Sequence, residues 1–422
     1  MNATTSDIRL LSVESITDFA DIAINAYPGF KIATEEARQQ LIERLVNVQT
    51  TVPIRHLYGL YRDDNLLGGM QLYDFKMNML GAQIAVGGVG MVAVDLLHKK
   101  EHVAKELLTF FLKYYREQGA AMALLYPFRP DFYYAMHFGY GLKINQYRLR
   151  PDALRTGNKS KVRFLTLEDK DRVMDCYNRY QVSTHGMIVR HSLEWDHILK
   201  NLGLEKRLVG CVHEGLVTGY MLFGFKARAA ESPLHNDIVI HEFVYTSREA
   251  LAALLGFLHR QTDQVDRIVL TTHDTAFHHL LLDPRNECET LIPSVYHESN
   301  VQGVGLMYRI INVPGLFAAL SAHDFNEQTC RLKITVHDTF FPENAGSTLV
   351  YFEHGQATLP PKGNYDVEIM LNVAELSSLL IGVIDFTQLY AYNLAEISDT
   401  TYLQTVTRLF SVERPPVCLT AF

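Results

Sequence analysis

The chain of 422 residues has few of the features that mark a membrane, secreted or metal-dependent protein. No apolar run reaches the roughly 18 residues that a spanning helix needs, so no membrane partner is expected. The stretch MNATTSDIRLLSVES has neither the basic start nor the apolar centre of a secretory signal. The five cysteines (Cys176, Cys211, Cys288, Cys330 and Cys418) are odd in number, scattered and never in a CxxC pair. That argues for reduced thiols in a cytoplasmic protein and against structural zinc. The 18 histidines form no HExxH and no cluster with ligand spacing, so no metal is expected. A Gly-Lys-Ser/Thr nucleotide loop and a Gly-x-Ser-x-Gly elbow are also missing. Basic residues are outnumbered, 39 Lys and Arg against 47 Asp and Glu, for a net charge of −8. Nucleic acid is a poor partner for such a chain; a cationic small molecule suits it better.

What is present is material for a core. Hydrophobic residues make up 48% and charged ones 20%, which fits a globular protein. At ~100–200 residues per domain, two to four domains are expected.

The stretch richest in chemistry runs from Val92 to Gly141. Met91, Val92, Ala93 and Val94 read as an apolar strand. His98, Lys99 and Lys100 form a basic loop, which opens directly into an amphipathic helix. Backbone amides and lysines at a helix start form an anion site, suited to a pyrophosphate. Further on comes PDFYYAMHFGYG, with Tyr133 and Tyr134 just ahead of a Phe-Gly-Tyr-Gly turn. A tyrosine with its ordinary pKa near ~10 can donate a proton to a departing thiolate, and it can equally be a core aromatic.

That order of parts resembles the acyl-CoA core of the GNAT superfamily of N-acetyltransferases. The resemblance implies acetyl-CoA as co-substrate. Lys99, Lys100 and the backbone amides of His102, Val103, Ala104 and Lys105 would hold its pyrophosphate, and Met91–Val94 would pair with its pantetheine arm. GNAT proteins commonly carry Arg/Gln-x-x-Gly-x-Gly/Ala here; this chain reads Lys99-Lys-Glu-His102-Val-Ala104. The lysine keeps the charge and Ala104 fits, whereas His102 puts a β-carbon where glycine is expected. Tyr133 follows Phe132 as in the Phe-Tyr-x-x-x-Gly-Phe segment of such proteins, with His137 in place of the glycine. Tyr133 is therefore the expected general acid, and Tyr134 is the alternative.

The first two thirds look duplicated. Ile8–Glu14 lines up with Val162–Glu168, and His56–Lys76 with Arg207–Lys226. Within the second block Gly59 matches Gly210, Gly69 matches Gly219, and Phe75-Lys76 matches Phe225-Lys226. Both blocks alternate apolar residues around a polar turn, as hairpins do. The second copy passes from Phe243–Ser247 straight into a helix near Arg248, without the basic pair. An anion site is expected only in the first copy. Arg190, His191 and Trp195 read as scaffold of the second.

The last third differs. Met307–Val313, Arg331–His337, Ser347–Glu353 and Tyr365–Leu371 alternate as strands, and apolar helices are expected near Pro314–Ala322, Val373–Ile381 and Asp385–Asn393. This is an α+β pattern. The expected fold is thus α/β plus α+β: tandem GNAT folds, each a mixed sheet flanked by helices, and then an α+β domain. The expected domains are 1–150, 151–290 and 291–422.

That layout, with VAVDLLHKK, the FGYG turn, Met307–Val313 and the ending RLFSVERPPVCLTAF, resembles the Eis (enhanced intracellular survival) acetyltransferases. The resemblance implies that the third domain is sterol-carrier-protein-like and that the α-carboxylate of the last residue, Phe422, helps to take a proton from an attacking amine. Primary amines such as aminoglycosides, polyamines or lysine side chains are the implied acceptors, and a homo-oligomer, a hexamer, the implied assembly. Tyr27 and Phe30 are candidates to line an amine pocket, and Glu413 to attract a cation. Two other readings stay open: a non-catalytic ligand- or protein-binding module on a degenerate GNAT scaffold, and a peptidoglycan-building aminoacyl transferase. The second normally carries a coiled-coil arm, and no sustained heptad run is present.

Overall fold

The computed structural model describes residues 6–157, 161–228, 235–287 and 290–422. Cys288 lies outside them. The chain divides into two compact units. One holds the chain up to Gly141 together with Leu306–Pro415 and Ala421–Phe422; the other holds Leu142–Gly305 and Pro416–Thr420.

The first unit opens with β1 (Asp7–Leu10), α1 (Ser15–Ala26) and α2 (Glu35–Thr51). The Thr34 side chain caps α2 by accepting from the Ala37 amide, which satisfies one of the unused first-turn donors. Next come β2 (Arg55–Arg62), β3 (Asn65–Met79) and β4 (Ala82–Val94). The β2–β3 turn places Asp63 and Asp64 at φ 49° and 61°, the doubly left-handed geometry that matches strand twist. Helix α3 (Val103–Glu117), β5 (Met122–Leu125), the short α4 (Pro130–Tyr134) and β6 (Gly139–Tyr140) follow. Two cores form on this sheet. One gathers Phe19, Leu41 and Leu45 of α1 and α2; the other gathers Leu107, Phe111 and Leu112 of α3 with Tyr133 and Phe138. Each such fully buried side chain contributes about 1.5–3 kcal/mol. The matched Gly69 is needed for close packing: a β-carbon there would lie 2.8 Å from the Phe19 ring.

The second unit begins with β7 (Lys143–Leu149), then β8 (Val162–Phe164), α5 (Lys170–Ser183), α6 (Ser192–Ile198), β9 (Lys206–His213), β10 (Leu216–Ala227), β11 (Asn236–Tyr245), α7 (Arg248–His259) and β12 (Arg267–Thr272). The small hairpin of β13 (Leu291–Ile292) and β14 (Tyr296–His297) and the edge strand β15 (Val301–Val304) close it. The β9–β10 turn repeats the first copy's geometry, with Glu214 and Gly215 at φ 49° and 80°. The Ser247 side chain caps α7 by accepting from the Ala250 amide, so the helix starts at Arg248 as expected, with no basic loop before it.

The remaining chain returns to the first unit as β16 (Met307–Ile310), α8 (Val313–Ala319), β17 (Cys330–His337), β18 (Gly346–Glu353), β19 (Gln356–Thr358), β20 (Val367–Asn372), α9 (Val373–Leu380), α10 (Phe386–Ala391), β21 (Ala395–Ile397) and α11 (Leu403–Leu409). Five of these strands form a sheet in the order β19-β18-β17-β20-β21.

The two large sheets run β1-β2-β3-β4-β5-β16-β6 and β8-β9-β10-β11-β12-β7-β15. The duplication therefore holds strand for strand, with one exchange. After Gly141 the chain enters the second sheet as β7, and after Gly305 it enters the first sheet as β16. The crossings carry the same signature, Gly139-Tyr-Gly-Leu142 and Gly303-Val-Gly-Leu306. This departs from the expected boundaries. The second sheet takes the chain from Lys143 and keeps it to Val304, past 150 and 290, and the stretch counted as the start of the third domain supplies a strand to the first sheet.

Among the described residues no helix is long and apolar enough to cross a membrane. No group of three or more His, Cys, Asp or Glu among them could hold a metal. The four described cysteines, Cys176, Cys211, Cys330 and Cys418, are buried.

Candidate functional site

The site is set by where β4 and β5 part. They pair in parallel from Val86↔Met122 to Val89↔Leu125 and no further. β4 runs on for five residues, Gly90 to Val94, still paired on its other side with β3. Its register with β3 jumps from Gly90↔Gln71 to Ala93↔Gly69, so Met91 and Val92 form a bulge opposite Met70, with Met91 at φ 48°. A bulge leaves strand groups unpaired and re-aims them, which is why bulges often lie beside reaction centres.

Three groups meet at this bulge. The hydroxyl of Tyr27, the residue that ends α1, donates to the Val92 carbonyl at 2.6 Å. One acceptor on the expected pantetheine edge is thus already bonded. Burial pushes the Tyr27 phenol up to about 12, and its ring stacks on half-exposed Phe30 at 5.1 Å. Tyr133 is 3% exposed, wedged against Phe128, Phe132 and Phe138. Burial raises its pKa above the ordinary tyrosine value, and the nearby Tyr27 phenol raises it further. No hydrogen bond to the Tyr133 hydroxyl is found among the described residues. The third group is Phe422. The Phe422 ring lies edge-on to Tyr73 and Phe75 and beside Tyr126, at 5.2, 4.9 and 5.2 Å. A β-carbon placed on Gly90 would come within 3.6 Å of the Phe422 carboxyl carbon and 3.3 Å of the Tyr73 ring.

Tyr134 has a different environment. Its hydroxyl donates to Glu375 Oε1 at 2.5 Å, and its ring stacks flat on Tyr140 at 5.0 Å. Burial, then the bond to Glu375, raises its pKa. Tyr134 is tied down, whereas the Tyr133 hydroxyl has no hydrogen-bond partner among the described residues.

The basic loop lies beyond the bulge. Lys99, Lys100, His102 and Lys105 are exposed, and among the described residues no ion pair joins either Lys99 or Lys100. His102 stands at the N-cap of α3 with φ 64° and makes no side-chain capping bond. The position that resemblance assigned to glycine is therefore left-handed, as glycine would be, and so is Lys100 at φ 69°. The other replaced glycine behaves alike: His137 has φ 61°. Amides of the first turn of α3, from Val103, Ala104 and Lys105, have no intrahelical acceptor. Free amides, two unpaired lysines and an open strand edge fit a pyrophosphate joined to an extended amide-bearing arm. Arg62 fixes the loop from behind, bonding the Glu101 carbonyl at 3.1 Å and Glu106 at 2.6 Å.

Glu413 is exposed, and no bond among the described residues brings it to the other candidates. Sequence reasoning missed two supports. Arg309 of β16 is fully buried, pairs with Asp338 at 2.7 and 2.6 Å, and donates to the Met136 and His137 carbonyls, both at 2.8 Å. It thus holds the turn that follows Tyr133. Glu375 was also missed. The readable signal for both is a charged residue inside an apolar run, MYRII and VAELSSLL.

Family models confirm the plan. An acetyltransferase (GNAT) domain matches residues 7–142, a second one matches 186–310, and a sterol carrier protein domain matches 316–419. The chain is a tandem-GNAT acetyltransferase. An uncharacterized N-acetyltransferase of Streptomyces coelicolor is 24% identical over 406 residues, covering 92% of each chain. A GCN5-related N-acetyltransferase from Anabaena variabilis superposes with a TM-score of 0.81 at 18% identity, over 99% of this chain and 100% of that one. Eis1 from Mycobacterium abscessus superposes with a TM-score of 0.74 at 20% identity, over the same shares. At such identities the superpositions establish the shared three-part fold. GNAT domains use acetyl-CoA as acyl donor.

Proposed function

We propose that this acetyltransferase moves an acetyl group from acetyl-CoA to a primary amine by direct attack, as in the Eis family that its sequence resembles. The observation that carries the reading is the Phe422 carboxyl carbon beside Gly90, where β4 and β5 part and Tyr27 and Tyr133 converge. Bound acetyl-CoA supplies an activated thioester. Lys99, Lys100 and the amides from His102 to Lys105 neutralise its pyrophosphate. Met91, Ala93 and Val94 offer backbone groups to the pantetheine arm. Tyr133 keeps its proton because burial disfavours the phenolate, and it gives that proton to the departing sulfur. A free α-carboxylate is a weak base, with an ordinary pKa of ~3.5. The Phe422 carboxylate therefore works mainly by orienting the incoming ammonium and passing its proton on through water.

The acceptor class is the aminoglycoside, polyamine or lysine ε-amine, with Tyr27 and Phe30 as the aromatic wall. The family likeness further supports a cytoplasmic homo-hexamer, which light scattering checks. The direct test removes Phe422. Turnover falls by roughly 10–100-fold while acetyl-CoA affinity is retained, as for loss of a proton-handling group. Unchanged turnover removes the carboxylate from the mechanism.

A further inference from the structure

The second copy has no basic loop, yet it holds a buried charge pair of its own, Arg190 with Glu242. Arg190 is 7% exposed and Glu242 also 7%. The guanidinium meets the carboxylate with two bonds, at 3.0 and 2.5 Å, and lies over the Tyr177 and Trp195 rings at 4.1 and 5.0 Å. The Tyr220 hydroxyl donates to the same carboxylate. Burying a charge pair so fully is costly, so what its other donors grip is informative.

They grip the chain's own C-terminal segment. Arg190 Nη2 donates to the Leu419 carbonyl at 2.8 Å, and Nε to Thr420 Oγ1 at 3.3 Å. His273 Nε2 lies 2.9 Å from the Cys418 carbonyl, and the Val417 amide donates to the His185 carbonyl at 2.8 Å. Val417 and Leu419 pack on the core around Trp195.

The register shows where this happens. β11 and β12 pair in parallel up to Ile240↔Leu270, as β4 and β5 do up to Val89↔Leu125. Just past that point β11 bulges at His241, since Ile240 and Glu242 face the consecutive residues Phe223 and Leu222. Glu242 follows Ile240 by two residues, as Met91 follows Val89. His273 follows Leu270 by three, as Phe128 follows Leu125. Glu242, which holds Arg190, and His273, which meets the Cys418 carbonyl, thus stand where these two strands part, the counterpart of the donor slot in the first copy.

We infer that the second GNAT copy is a receptor for the chain's own C-terminus, in which Arg190, Glu242 and His273 are positioning residues for the Phe422 carboxylate. Only Ala421 separates the gripped Thr420 from Phe422, so slack at the anchor passes directly to the chain end. The inference rests on the reading that this carboxylate takes part in transfer.

Two variants of the full chain test it. Thr420→Val removes one gripped hydroxyl, and Thr420→Ser keeps it. Arg190→Met with Glu242→Leu removes both charges together and leaves neither buried alone. The first readout is the rate at which a carboxypeptidase frees Phe422, followed by mass. The second is kcat against the KM for acetyl-CoA. Release should quicken by about tenfold or more in the double variant, because cleavage follows the opened population. Its kcat should fall by about tenfold or more, while the KM for acetyl-CoA stays within about twofold. Thr420→Val should shift both in the same direction, and Thr420→Ser should match the parent. Unchanged release in both variants overturns the anchor. Faster release with unchanged kcat overturns the positioning role. If deletion of Phe422 leaves turnover intact while the variants still shed it faster, the carboxylate mechanism fails and the receptor stands.

Discussion

Neighbouring tyrosines of α4 should separate chemistry from stability. Tyr133→Phe removes one hydroxyl that has no partner among the described residues. The remaining ring still fills the space among Phe128, Phe132 and Phe138. Folding stability should therefore change by less than about 0.5 kcal/mol. Turnover should fall by roughly 100–1,000-fold, about 3–4 kcal/mol in the barrier, the worth of a positioned general acid. Tyr134→Phe does the reverse. It deletes the 2.5 Å bond to Glu375, which is 4% exposed and whose other oxygen has no partner among the described residues. Leaving that buried carboxyl without a donor costs about 1.5–3 kcal/mol, a loss of several degrees in Tm. Turnover well below the Tm should change by less than about threefold, since the Tyr134 hydroxyl is committed to Glu375. Calorimetric melting and a thiol-release assay on both variants make the comparison. Should Tyr133→Phe keep full turnover while Tyr134→Phe loses it, the assignment of the acid is wrong.

Arg309→Met strands Asp338 as a fully buried carboxylate and frees the Met136 and His137 carbonyls, so urea melts should show a loss of about 3–5 kcal/mol, partly recovered when Asp338→Leu is added. Alkali should destabilise the fold. In the unfolded chain tyrosines ionise near ~10, whereas burial holds Tyr27 up to about 12 and raises Tyr133 and Tyr115 as well. Above ~10 the unfolded state sheds protons that the folded state keeps, so stability is full below that pH and falls as pH climbs towards Tyr27's value. A Tm that stays flat from pH 9 to pH 11 would contradict this. His102→Gly relieves a left-handed histidine, so Tm should rise and acetyl-CoA bind at least as tightly, for a gain of about 0.5–1 kcal/mol. Weaker binding would mean that the His102 ring itself contacts the donor.

Much of the fold was readable because periodicity reports burial residue by residue. The hairpins at His56–Lys76 and Arg207–Lys226, the start of α7 at Arg248 and the strands of the last third follow directly from alternation and capping residues. The exchange of β7 and β16 was not readable. Alternation shows that Lys143–Leu149 is a strand but not which sheet receives it, and that choice rests on pairings far apart in sequence. At the site, His102 and His137 were marked by their mismatch to glycine, and both are left-handed. What joins Phe422 to Gly90 spans more than three hundred residues, and only family likeness suggested it. Arg190 was taken for scaffold because a lone basic residue carries no periodic signal. The sign that was available is Glu242, a carboxylate inside the apolar run DIVIHEFVY.

The central claim is acetyl transfer from acetyl-CoA to an amine at the place where β4 and β5 part. Free thiol released from acetyl-CoA, measured with and without a panel of primary amines, tests it most directly. The account predicts release that depends on the amine, saturates with acetyl-CoA and drops by roughly 10–100-fold when Phe422 is deleted. Release that ignores the amine, or none at all from folded protein, would contradict it.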